Sequence, residues 1–163
     1  MVSITLQSSP IDVGSVYGRF ADSVSSSGAV AMFVGRMRAS CHHQGRAYTL
    51  RSMTLEHYHA MAQRQLDALA SRACARWTLE DICIVHRYGK ILPHEVIVFI
   101  ATGAEHRQPA LEACHFLIDW LKVKAPFWKY EETNSGEGFW VAAQNRDEQQ
   151  ANGWHESTMP HTP

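Results

Sequence analysis

One proline does more than any other residue to limit how this chain can fold. Pro126 follows the run RQPALEACHFLIDWLKVKA, in which Ala110, Cys114, Leu117 and Leu121 repeat on one helical face. Pro109 suits the first turn of that helix, where its missing N–H costs nothing. Pro126 cannot continue the helix and biases Ala125 toward an extended backbone. The helix is therefore expected to stop near Lys124, with Phe127 onward running as a strand that returns through Asn134-Ser135-Gly136 to Gly138-Phe139-Trp140-Val141. The break sets Lys122, in the last helical turn, and Lys129, beyond the proline, to approach one place from two directions. Phe127 and Trp128 stand between them, and an ammonium is costly to desolvate beside such rings.

Upstream, Ser8-Ser9-Pro10-Ile11-Asp12 reads as a turn into a helix capped by Asp12, with Val13, Val16, Phe20 and Val24 along one stripe. AVAMFVGRMR is β-rich and carries Arg36 and Arg38 out on one side. The polar stretch ASCHHQGR predicts a long, mobile hairpin loop before a second strand over residues 48–56. HAMAQRQLDALASRACAR is rich in strong helix formers, with Met61, Leu66, Leu69 and Ala73 near one face. EDICIVHRYG and HEVIVFIATG are two β-branched runs around Lys90-Ile91-Leu92-Pro93. The order helix, two strands, helix, two strands, helix, two strands predicts an α+β architecture built on antiparallel hairpins.

With 163 residues, 45% of them hydrophobic, residues 1–150 suffice for a single domain, and 151–163 reads as a flexible C-terminal tail. A formal charge of −1 gives no field for gathering nucleic acid or anionic membrane, so any cationic site is local. The opening MVSITLQSSP lacks the pattern of a signal peptide, and no apolar run approaches the length of a membrane span. With Cys41, Cys74, Cys83 and Cys114 scattered, the expectation is a reduced, cytoplasmic protein. The neighbours Cys41-His42-His43 cannot all turn toward one ion, so no metal is expected, and no phosphate-loop or dinucleotide fingerprint points to a cofactor.

Paired lysines are what an enzyme needs to hold an anionic substrate and to stabilise an oxyanion in acyl transfer. The ordinary alternative is that they complement a helix C-terminus with their heads in water. Glu105-His106-Arg107, just ahead of Pro109, adds free N–H groups at a helix start and a guanidinium for bidentate contact, against the alternative of a salt bridge from Arg107 to Glu105 or Glu112. Arg36 and Arg38, at a strand end, carry the same two readings. Glu56-His57-Tyr58-His59, between a strand and a helix, reads as a structural cap, against the alternative of a substrate contact.

The succession VGRMR, MTLEHY, VHRYGKILP, EHRQPALEAC and WLKVKAPFWKYE, spread over about residues 28–150, resembles the large, catalytic subunit of molybdopterin synthase. K-x-x-APFWK is the most specific part of the match. The resemblance implies an α/β hammerhead fold with an added antiparallel β lobe, and a sulfurtransferase of molybdenum cofactor biosynthesis. In that family a small ubiquitin-like partner inserts a C-terminal Gly-Gly thiocarboxylate into the large subunit and gives sulfur to cyclic pyranopterin monophosphate, two transfers forming the molybdopterin dithiolene. A homodimer with one small subunit at each far end, hence a heterotetramer, is implied as well. Carried over residue by residue, Lys122 and Lys129 match the catalytic lysines, Arg38 a substrate-binding arginine, and His106 with Arg107 the substrate-anion pair. Lys122 is then expected near the thiocarboxylate, with Lys129, Arg38, His106 and Arg107 around the pterin phosphate.

The chain departs from the family's pattern in places. Its 39–52 segment is longer, His94 stands where a turn glycine is common, and Leu111 where phenylalanine is. Arg146 comes later than an arginine that relatives often carry after Trp-Val, and is left out of the site. These departures leave room for a rival, a non-catalytic scaffold of the same fold that binds the partner's tail. A third reading, single-stranded nucleic acid on Phe127, Trp128 and the lysines, has the residue types but not the overall charge.

Overall fold

The structure, a computed structural model, describes residues 1–124, 127–141 and 154. Ala125, Pro126 and Arg146, and the C-terminal tail apart from Trp154, lie outside the described residues. In chain order the elements are β1 (Val2–Gln7), α1 (Val13–Ser23), β2 (Ala29–Arg36), β3 (Ser40–His43), β4 (Arg46–His57), α2 (His59–Arg76), β5 (Asp81–Arg87), β6 (Gly89–Ile91), β7 (Val96–Ala104), α3 (Arg107–Lys124), β8 (Phe127–Thr133) and β9 (Gly138–Val141).

One sheet runs β1-β5-β7-β2, with β1 parallel to β5 and the other pairs antiparallel. Its central strands read as unbroken apolar runs because both faces are covered. Ile82, Ile84, Val98 and Ile100 face α2 and α3, meeting Leu66, Leu69, Leu117 and Trp120. Cys83, Val85, Phe99 and Ala101 point the other way, toward Val16 and Phe20 of α1. Asp12 caps α1 as its position predicts, its carboxylate accepting from the Ser15 amide at 3.2 Å. A second, five-stranded sheet runs β3-β4-β8-β9 with β6 also on β4, and closes over a small core of Met37, Leu50, Met53, Leu55 and Ile91. The α+β architecture with an added antiparallel lobe is thus the observed one.

Four details differ from expectation. The turn expected around Lys90 and Ile91 supplies a short strand, β6, which pairs with Met53 to Leu55 of β4. β1 is an additional strand: Val2, Ile4 and Leu6 alternate with Ser3, Thr5 and Gln7, a period-two signal at one edge of the sheet. In α2 the inner stripe is Ala62, Leu66, Leu69, Ala70 and Ala73, while Met61 is exposed, since the stripe starts one residue later. The expected long loop at ASCHHQGR is instead a tight hairpin. Ser40 to His43 pair with Arg46 to Thr49, and the turn needs only Gln44 and Gly45, both at positive φ (48° and 78°). Two residues in that conformation match the twist of the flanking strands.

α3 follows β7 directly and packs back across β7 and β2. The turn that reverses the chain is close-packed, because a Cβ at Gly28 would collide with the Glu105 carbonyl. Trp154 lies against the same side of the molecule. Its indole donates to Asp119 at 2.9 Å, its carbonyl accepts from Arg76 at 2.8 Å, and its ring meets Trp77 and Phe116 edge-on.

Candidate anion site at the junction of α3 and β8

Lys122 is two residues short of the end of α3, exposed, and Lys129 is the third residue of β8. In β8 alternate residues share a face, so Phe127, Lys129, Glu131 and Thr133 turn toward the lobe's core and Trp128 and Tyr130 turn away. Lys129 lies opposite Leu55 and Glu131 opposite Met53. The Lys129 Nζ is 2.9 Å from Glu131 Oε1, a pairing that the sequence reading did not include. A two-residue spacing in a strand is the signal that could have found it.

The tight hairpin brings Cys41 to the same face. Burial raises its thiol above the ordinary value, the hydrogen bond it gives Glu131 adds to this, and the charges of Lys129 and Arg38 oppose it. The Arg38 charge is thus felt at Cys41, three residues along the chain. Arg36 and Arg38 are both exposed with Met37 buried between them, as alternation requires, but they part company: Arg36 Nε donates to the His94 carbonyl at 2.9 Å. Lys129, its Glu131 partner and the Cys41 thiol form a polar cluster beside Met53, Leu55 and Phe127, and the Arg38 charge acts on that thiol. Incoming anionic groups would compete with Glu131 for Lys129, in surroundings where charge interactions are stronger than in water.

His106 and Arg107 are elsewhere. Both are exposed at the start of α3, where His106 Nε2 is 3.9 Å from Glu105 Oε1. Arg107 and Lys122 are fifteen residues apart on one continuous helix, about 22 Å at 1.5 Å per residue. Sheet register gives the same answer, since Ala29 pairs with Ala104 near His106, while Arg36, two residues before Arg38, pairs with Val96 at the other end of β7. Within one chain the structure groups Arg38, Lys122 and Lys129 toward one end of α3, and His106 with Arg107 at the opposite end. Among the described residues no group of three or more His, Cys, Asp or Glu side chains is arranged to hold a metal, and no helix is long and apolar enough to cross a membrane.

The fold and site define an α+β protein that sets cationic side chains where a helix end meets a curled lobe. Residues 6–124 match the family described as MoaE protein. A Caulobacter vibrioides protein named molybdopterin synthase catalytic subunit is 40% identical over 151 residues, which span 93% of this chain and 96% of that one. A protein of the same name from Cereibacter sphaeroides is 38% identical over 151 residues, 93% of this chain and 99% of that one. The solved structure of a molybdopterin biosynthesis MoaE protein from Burkholderia ambifaria superposes with a TM-score of 0.78 at 36% identity, covering 95% of this chain and 99% of that one. The chain belongs to the MoaE family, the molybdopterin synthase catalytic subunits.

Proposed function

We propose that this chain is the catalytic subunit of a molybdopterin synthase. It takes sulfur from the C-terminal thiocarboxylate of a small ubiquitin-like partner and delivers it to cyclic pyranopterin monophosphate, forming the dithiolene. The observation that carries this reading is the cluster of Lys129, Glu131 and Cys41 just beyond the end of α3 that carries Lys122, with the Arg38 charge acting on the thiol, in a chain of this family.

In this mechanism the partner's Gly-Gly tail reaches the end of α3, and the Lys122 ammonium stabilises the charge that develops on the thiocarboxylate carbon's oxygen as the sulfur is transferred. Lys129 exchanges its Glu131 partner for the pterin phosphate, and Arg38 holds a second phosphate oxygen. The thiocarboxylate sulfur displaces an oxygen substituent of the pterin side chain to give a thioester to the tail, and water then cleaves the acyl C–S bond, so that the tail leaves as a carboxylate and the sulfur stays on the pterin. The relatives' name, catalytic subunit, supports the existence of a second chain, and exposed Tyr58, Trp128 and Trp140 offer aromatic surface of the kind that partner chains cover.

The separation of His106 and Arg107 from Lys122 supports a homodimer, in which a second copy brings its own His106 and Arg107 to the phosphate. With one small subunit on each copy the assembly is a heterotetramer. Four unpaired cysteines support a reducing compartment, the cytoplasm.

Replacing Lys122 tests the chemistry. In Lys122→Ala, single-turnover sulfur transfer from thiocarboxylated partner to precursor is expected to fall by about 10²–10³, the usual loss for a group stabilising a developing oxyanion. A near-normal rate would remove Lys122 from the mechanism.

A further inference from the structure

Two stretches with no part in the anion site, Glu56-His57-Tyr58-His59 and Val85-His86-Arg87, meet on the first residues of β8. Phe127 pairs with His57 in the β4–β8 ladder. The Phe127 ring stacks on His86 of β5, with centroids 4.1 Å apart and planes 10° apart, and on His57 at 5.6 Å and 27°. His57 is backed by the Tyr88 ring at 4.4 Å. On the other face of β8, Trp128 meets Tyr58 edge-on at 6.2 Å. Rings from β4, β5 and the start of α2 therefore grip both faces of the strand where it leaves the helix junction. Tyr58, at the N-cap position of α2, makes no side-chain capping bond, so the expected role of this stretch as a cap is replaced by a clasp.

His86 is suited to be the fixed jaw. It is 4% exposed, and its Nδ1–H donates to the Arg87 carbonyl at 2.8 Å, which holds the ring plane. Arg87 is itself pinned, donating to Glu95 at 3.0 Å and to the carbonyls of Ser8 and Lys90. β5 belongs to the first sheet and β8 to the second, so the stack ties one sheet to the other at the start of the strand that carries Lys129.

We propose that His57 and His86 are positioning residues for sulfur transfer: by clasping Phe127 they fix the first residues of β8, and so the placement of Lys129 relative to Lys122 at the end of α3. This rests on the function proposed above. Neither imidazole meets substrate. Their effect is geometric, and a displacement of about 1 Å in a reacting group can cost about 10²-fold in rate.

The test uses the full chain with thiocarboxylated partner and precursor, comparing His57→Ala, His86→Leu and His86→Phe. The first two are expected to slow single-turnover transfer about 10–100-fold while the partner's Kd changes less than about threefold, because geometry at the reacting atoms, not tail binding, is lost. His86→Phe keeps a stacking ring and is expected to stay within about threefold of the parent rate. Amide hydrogen exchange over residues 127–131 should quicken in His57→Ala and His86→Leu and stay slow in His86→Phe. Parent-like rates in both ring-deleted variants, equal losses in His86→Leu and His86→Phe, or unchanged exchange would each overturn the proposal. Should His86→Leu fail to fold, His57→Ala decides, since His57 is only partly buried. If the parent chain forms no product, the proposed function fails instead, and the exchange comparison still reports on the clasp.

Discussion

At position 94 the backbone turns through φ = 72°, and the residue there is histidine. A side chain in this left-handed region brings its Cβ against the backbone at a cost of about 1–2 kcal/mol. The conformation is imposed from outside. The His94 amide donates to the Met37 carbonyl at 2.9 Å, and its own carbonyl accepts from Arg36, so the turn is tied to the segment that leads to Arg38. Glycine removes the Cβ strain but adds about 0.4–1 kcal/mol of freedom to the unfolded chain. His94→Gly is therefore expected to stabilise by roughly 0.5–1 kcal/mol, a rise in Tm of about 1–4 °C in a chain of this size, read by thermal denaturation at pH 7.5. His94→Val is expected to lower it. The need for a special residue here was legible in the sequence from the resemblance alone; the two hydrogen bonds that enforce it come from residues far along the chain. Lys129 shows the same division. Its face is set by strand alternation, a local rule, whereas the Cys41 thiol beside Glu131 depends on a hairpin that looked like a loose loop.

Among the elements, β5 carries an acid-sensitive load. Burial drives His86 down from 6.5 to about 4, and burial with the neighbouring His59 lowers His57 as well. In the unfolded chain both imidazoles take up a proton near pH 6.5, while the folded chain resists it, so the unfolded state binds more protons between these values. The stability they contribute is complete above pH 6.5 and is lost as pH falls toward 4. For His86 alone the loss by pH 4.5 is on the order of 2–3 kcal/mol. Urea midpoints measured from pH 7.5 to 4.5 should decline accordingly, and His86→Phe should flatten most of that slope. Glu95 and Asp12, whose carboxyls are held below their usual range, weaken the fold only at still lower pH, so the two windows are separable. None of this was legible from VHRYG. Its strand character is local, but the ring that stacks on His86 is Phe127, forty-one positions later, and the helical and strand periods that disclosed α1, α2, α3, β7 and β8 say nothing about which rings will meet across two sheets.

For the whole molecule the deciding fact is the direction of α3. A helix that returns across its own sheet carries Arg107 to one end and Lys122 to the other, and a rigid helix of this length does not bend to reunite them. Sequence order put the two residues in one motif-rich stretch and so in one imagined pocket; the path of the chain, which no periodicity encodes, takes them apart. If a second copy supplies His106 and Arg107, two inactive variants should complement. In a heterodimer of Lys122→Ala with Arg107→Ala, one site carries both lesions and the other carries neither. Co-refolding equal amounts makes about half of the dimers mixed, each with one intact site of two, so the mixture should recover about a quarter of the parent's sulfur-transfer activity while each variant alone stays near zero. The readout is product per protomer after co-refolding, with sedimentation confirming dimers. Activity no greater than the sum of the separate variants would mean that each chain completes its site without the other, and that His106 and Arg107 at the far end of α3 serve something other than the phosphate.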